Sequence, residues 1–339
     1  MSVDLKTYLP EITEKSLEKD FSLEVVASDV SMLCDDSDEN IGYLATCWVV
    51  YNALFVPERY FAAFYQVSKK LKVEMWQKFE VKNAPTFCRL TTTSPLDSEH
   101  LYWLIFSHSR GVQAYTVLPH TRSIEPVSSI GDIFPVLELG NLPGSAIRSH
   151  CWITQGYRFS VVGFDTGYIV ASVCTMNSGT IIDRKTIKFS GPISVLRLIH
   201  FNEKELETSV LVSSTIGPAA VWSLKLVDEN YLNWEMKTVL VDSEVFDCVI
   251  TSAVNKDSVF IGTYGDHLLI YSLDEALKPG EAYTYSTVNV ASPVLSIADI
   301  PTDNSLYVLS NKGFHQFKRE GTSASTVSLH EDISVKHSY

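Results

Sequence analysis

A chain of 339 residues with 45% apolar and 20% charged residues has the composition of a folded globular protein. Its net charge of −13, without any dense Lys/Arg cluster, argues against the basic face that nucleic acid or an anionic membrane surface demands. No apolar run reaches the ~20 residues of a membrane helix, and charges in the first 20 residues occupy the place of a secretory leader's apolar core. The pattern therefore predicts a cytoplasmic protein with no direct membrane insertion.

Residues 1–20 are read as an N-terminal segment, the remnant of a first structural unit. The stretch 21–82 carries two apolar strands, IGYLATCWVVYNALF and YFAAFYQV, with an acidic loop Asp35-Asp36-Ser37-Asp38-Glu39 before them. Lys69, Lys70 and Lys72 fall in a polar turn, where charge runs solubilise. From there one unit repeats: LYWLIFSHSRGVQAY, FSVVGFDTGYIVAS, SVLVSSTIGPAAVW, SVFIGTYGDHLLIY and LYVLSNKGFHQF. Each is an apolar run, a small residue, a short polar turn, a glycine and a second apolar run. The glycines are Gly111, Gly167, Gly217, Gly265 and Gly313, and the small residues are Ser107, Gly163, Ser213, Gly262 and Ser310.

The unit is a hairpin. Aromatic and β-branched residues suit a pleated, half-buried surface, and the glycine is expected to supply the positive φ of a tight turn. Ala84-Pro85, Gly191-Pro192 and Ser292-Pro293 each open an apolar strand, a position at which proline is tolerated. A period of about 50 residues holding four strands is a propeller blade, and blades bury their faces only against neighbours. The fold class is thus all-β, a β-propeller with six recognisable blades at roughly 84–137, 145–190, 191–242, 246–290 and 292–319 after the divergent 21–82. The propeller spans 21–319, and 320–339 reads as a mobile polar tail.

Motifs for chemistry are missing. No P-loop, nucleophile elbow or H-E-x-x-H occurs. Cys34, Cys47, Cys88, Cys151, Cys174 and Cys248 form no C-x-x-C pair and sit mostly in apolar runs, as small hydrophobes. Asn255-Lys256-Asp257 and Asp299 with Asp303-Asn304 lack the spaced carboxylates of a calcium loop and read as polar turns. His150, His200 and His267, and Trp103, Trp152 and Trp222, read as strand and core residues. No catalytic, cofactor-binding or metal-binding residue emerges, no cofactor is implied, and no partner-binding residue can be named.

The segments GPISVLRLIHF (191–201), TSVLVSSTIGPAAVW (208–222), EVFDCVITSAV (244–254), VFIGTYGDHLLIY (259–271), SPVLSIADI (292–300) and LYVLSNKGFHQF (306–317) lie in the order and close to the spacing of the kaptin family, which this chain resembles over about 140–317. Family members resemble seven-bladed propellers, one more blade than is counted here. The resemblance implies a non-enzymatic scaffold subunit of a KICSTOR-like complex. Its partners would be a second propeller protein of the integrin-α FG-GAP type and the other KICSTOR subunits. Through them it would recruit the GATOR GTPase-activating complex to lysosomes and restrain TOR signalling during amino-acid or glucose shortage. The family's association with actin filaments implies the alternative, a role in actin organisation. A net charge of −13 opposes that alternative, because actin is itself acidic. An enzyme in a central channel would rest on fold analogy alone.

Overall fold

The computed structural model describes residues 22–33, 41–67, 73–94, 97–107, 111–129, 131, 143–144, 146–154, 156–175, 180–300, 305–320 and 328–336. The N-terminal segment 1–20, the acidic loop 35–39, Lys69, Lys70 and Lys72, and Asp303-Asn304 all lie outside the described residues. The described chain is almost entirely strand, arranged as six antiparallel sheets in sequence order, each a propeller blade. The first blade holds β1 (Ser22–Leu33), β2 (Ile41–Tyr51), β3 (Pro57–Val67) and β4 (Val73–Val81). The second holds β5 (Pro85–Ser94), β6 (Asp97–Ser107), β7 (Val112–Leu118) and β8 (Ser123–Pro126). The third holds β9 (Ala146–Thr154), β10 (Tyr157–Phe164), β11 (Tyr168–Thr175) and β12 (Ile181–Lys188).

The fourth blade is built of β13 (Ile193–Asn202), β14 (Glu207–Ser214), β15 (Ala220–Val227) and β16 (Tyr231–Leu240). The fifth begins with β17 (Val249–Val254), β18 (Ser258–Thr263) and β19 (His267–Ser272). The chain then leaves it through a short helix α1 (Leu273–Leu277) and the strand β20 (Gly280–Ala282), which pairs in parallel with β16 of the fourth blade. It returns as β21 (Tyr285–Asn289), the fifth blade's outer strand. The sixth blade comprises β22 (Val294–Ile300), β23 (Ser305–Ser310), β24 (Gly313–Glu320) and β25 (Ser328–Lys336). Its last strand lies within the stretch 320–339 that reads as a polar tail. β25 pairs with β24 from Gly313↔Lys336 to Glu320↔Ser328, because an outer strand is held by backbone hydrogen bonds and needs no apolar alternation.

Two compact units share these blades: Met1–Ser160 with Thr175–Gly179, and Val161–Cys174 with Thr180–Tyr339. In the first unit the innermost strand β5 packs beside β1 and β9. Tyr43, Phe64, Leu101, Trp103 and Ile105 are buried together in its core, with Trp76, Phe79 and Tyr115 against them. In the second unit β17 packs beside β13 and β22. The core between the fourth and fifth blades gathers Leu211, Val221, Val259, Ile261 and Tyr271, and takes Ala276 of α1 and Ala282 of β20.

The inner strands share an irregularity. The register shifts between Pro85 and Phe87, Ile193 and Val195, Val249 and Thr251, and Val294 and Ser296. A β-bulge of this kind adds twist at the strand opening. At two of the turns the small residue before the turn has a steric reason. A Cβ on Gly163 would stand 2.7 Å from Ile193 Cγ2, and one on Gly262 2.7 Å from Val294 Cγ1, so the next blade's inner strand occupies the space.

The turn glycines do not all follow the expected geometry. Gly167, Gly217 and Gly313 have φ of 83°, 93° and 150°. Gly265 does not take the expected positive φ; the left-handed residue in that turn is Asp266, at 90°. Gly265 is small for another reason: a Cβ there would lie 2.2 Å from the carbonyl oxygen of Phe246. In the divergent first blade the equivalent turn carries no glycine, and Phe55 takes the left-handed conformation, with φ of 57°.

Candidate interaction surface

Several polar and thiol side chains are committed to structure. Among the described residues no group of three or more His, Cys, Asp or Glu is placed to hold a metal. Asn255 Oδ1 accepts from the N–H groups of Asp257 at 2.8 Å and Ser258 at 2.7 Å, closing the β17–β18 turn. The Ser310 hydroxyl meets His315 Nε2 at 3.0 Å, but it also donates to Gly313 O and accepts from Lys312 N–H inside the β23–β24 turn. Burial and the neighbouring Asp247 carboxylate push the Cys248 thiol up, away from thiolate. The Cys88 thiol is raised by its hydrogen bond with Cys47 and by burial. Trp103 is buried core, and Trp222 is half-buried between Phe189 and Trp234. His267 stacks on Phe246 with ring centroids 4.1 Å apart, and its Nδ1 faces the Asp266 carboxylate.

Among the described residues, each unit holds apolar side chains out on its turns. In the first unit the β2–β3 turn holds Leu54 and Phe55 out at 81% and 78% exposure, with Val56 beside them. Asn52 builds this tip. Its Oδ1 accepts from Leu54 N–H at 3.0 Å and Val56 N–H at 3.1 Å, and its carbonyl accepts from Phe55 N–H at 2.9 Å. Such a local side-chain acceptor fixes a turn that the bulky residues alone would not favour.

In the second unit the surface is broader. The connection 241–248 runs from β16 to β17 and is tied to three neighbours. Ala219 N–H donates to Ser243 Oγ at 2.7 Å, joining the β14–β15 turn. Gly265 N–H donates to Phe246 O, and Tyr264 N–H to Cys248 O, each at 2.9 Å, joining the β18–β19 turn. Val241 N–H donates to Ala282 O at 3.1 Å, joining β20. From below, the buried Tyr271 hydroxyl donates to Val241 O at 2.6 Å. Burial raises that phenol well above the usual tyrosine range, so it stays a donor.

On this braced surface Val245, Tyr264 and Tyr283 are 60%, 56% and 65% exposed, and Ile216 lies out on the adjoining turn. The same segments, 241–248, 264–266 and 281–283, carry Asp242, Glu244, Asp247, Asp266 and Glu281 and contain no Lys or Arg. Glu281 accepts from the Tyr283 hydroxyl, which raises that phenol too. The repeat pattern did not point to these residues. The available signal was an apolar side chain in a turn, as in Tyr264-Gly265-Asp266 and Leu54-Phe55-Val56, where polar residues are the norm.

Comparison with known proteins places the chain. Two solved structures align with it, and the likeness to the one with a TM-score above 0.5 is one of fold. A functionally unknown protein from Desulfotomaculum acetoxidans aligns with a TM-score of 0.53 at 11% identity, covering 82% of this chain and 77% of that one. A computationally designed protein aligns with a TM-score of 0.49 at 10% identity, covering 88% of this chain and 72% of that one. The mouse (Mus musculus) KICSTOR complex protein kaptin is 26% identical over 249 residues, 66% of this chain. The chain spans about half the length of that relative, 54%. The family model for KICSTOR complex protein kaptin matches residues 103–329, from the second blade into the sixth, and the chain belongs to the kaptin family.

Proposed function

We propose that this chain is a non-enzymatic scaffold subunit of a KICSTOR-like complex, holding partner proteins together on its blade turns. The observation that carries the reading is the family match over 103–329. It is supported by apolar side chains held out on braced turns, the place where a scaffold of short strands presents variable contacts. The partners are a second propeller of the FG-GAP type and other KICSTOR subunits. Through them the complex recruits GATOR to lysosomes and lowers TOR activity when amino acids or glucose run short. In this reading partners bring the chain to the lysosome; no helix among the described residues is long and apolar enough to cross a membrane.

The test is to tag the protein in its own cells, purify it gently and identify what accompanies it. The expected companions are an FG-GAP propeller protein and GATOR components. In cells lacking the protein, TOR substrates should stay phosphorylated through amino-acid withdrawal. Recovery of actin-filament proteins alone, with normal TOR shut-off in the deletion, would overturn the scaffold reading in favour of a cytoskeletal one.

A further inference from the structure

We infer that the surface of the second unit formed by 241–248, 264–266 and 281–283 docks a basic, apolar-anchored segment of a partner protein. The inference deepens the scaffold reading by naming one of its contact surfaces and the chemistry of what covers it. Val245, Tyr264 and Tyr283 supply exposed apolar and aromatic area, the kind of side chain that anchors interfaces. Exposed apolar side chains scattered singly mean little, but these three sit on segments hydrogen-bonded to one another.

Charge decides the occupant. Asp242, Glu244, Asp247, Asp266 and Glu281 lie in the same segments as the apolar side chains, without a Lys or Arg, and Asp242 and Glu281 are close enough to Tyr283 to raise its phenol. An acidic or second identical surface would be repelled, whereas Lys or Arg flanking apolar anchors would be steered in and held in register. The surface is also preorganised. Ser243 is fully buried as the acceptor for Ala219 N–H, and the Tyr271 hydroxyl pins Val241 O, so little loop entropy is lost on docking. The apolar tip at 54–56 in the first unit lacks this charge signature, and nothing in its surroundings specifies an occupant.

The test uses the full-length protein and three labelled synthetic peptides, alternating Lys with Leu, Lys with Ser, and Glu with Leu, followed by fluorescence anisotropy. The Lys/Leu peptide should bind best and weaken steeply with salt. The pair Val245→Ser with Tyr264→Ser, and separately Glu244→Lys with Glu281→Lys, should each weaken it roughly tenfold or more. Leu54→Ser should leave it unchanged. All these positions are exposed, and circular dichroism and the melting point verify that each variant is folded. Equal binding of the Glu/Leu peptide, or variants that bind as the parent does, would overturn the inference. So would sedimentation showing that Val245→Ser with Tyr264→Ser breaks a self-association of the protein, since the occupant would then be a second copy. Peptide binding with no KICSTOR-type companions in cells would remove the scaffold reading and leave this surface standing. The reverse result would do the opposite.

Discussion

At Gly265 the reason for glycine is a neighbour, and at Gly217 it is the backbone. Gly217 has φ of 93° and nothing within 4 Å of where a Cβ would stand, so Gly217→Ala pays conformational strain alone, about 1 kcal/mol. Gly265→Ala would push a methyl to 2.2 Å from Phe246 O and disturb the bond that joins the two segments, which should cost about 3 kcal/mol. Urea titration of both variants checks the order, and a larger loss at Gly217 would refute it. Asp183 is the other instructive residue. Burial pushes its carboxyl up, but the N–H groups of Leu232 at 2.8 Å and Arg184 at 2.7 Å, with the Lys185 ammonium at 3.4 Å, outweigh that and hold it below the usual carboxylate range. A lowered folded value means stability that is present above the unfolded carboxyl's range and lost as pH falls through the folded one. Asp183→Asn should therefore cost about 1 kcal/mol at neutral pH, given the partial exposure of the site. The gap between the two proteins should close below about pH 4. Unfolding midpoints of parent and variant at neutral and acid pH test this; a gap that persists in acid would show that the carboxylate charge is not the cause.

Among elements, the outer strands carry the least legible sequence and the most specific wiring. β20 is three residues long, yet it extends the fourth blade while belonging by sequence to the fifth. The strap is secured by Thr238 Oγ1 donating to Lys278 O at 2.6 Å, and α1 by Ser272 Oγ accepting from Glu275 N–H at 3.2 Å. β25 has charged and polar residues at most positions and still pairs along the length of β24. Deleting residues 328–339 should lower the melting temperature by several degrees and promote aggregation, because β24 would become an unpaired edge. An unchanged melting curve and a monomeric elution profile would show that β25 contributes nothing to the fold. The alternation and turn glycines of the two middle strands made five hairpins readable in advance. Nothing local distinguishes β20 or β25, whose pairing depends on what lies beside them.

For the molecule as a whole, the expectation is of blades that present surfaces and bind no metal. The one calcium candidate within the described side chains, Asn255-Lys256-Asp257, has its amide oxygen committed to two backbone N–H groups. Millimolar calcium and a chelator should accordingly give the same melting temperature, and a rise of several degrees with calcium, reversed by chelator, would overturn this reading.

The sequence alone determined the fold class, the blade period and the start of three inner strands, at Pro85, Pro192 and Pro293, because side-chain alternation, proline openings and small turn residues act over a few positions. It also carried the family resemblance, in six segments between 191 and 317. Tertiary structure decided the rest. It turned Gly265 from a φ requirement into a steric one, sent β20 to a neighbouring blade and made a strand of 328–336. It also left Val245, Tyr264 and Tyr283 outside the core while Val221, Ile261 and Tyr271, with the same apolar character, went in. Apolar character is a property of the residue, whereas burial depends on which other segments arrive to cover it, and those segments are distant in sequence.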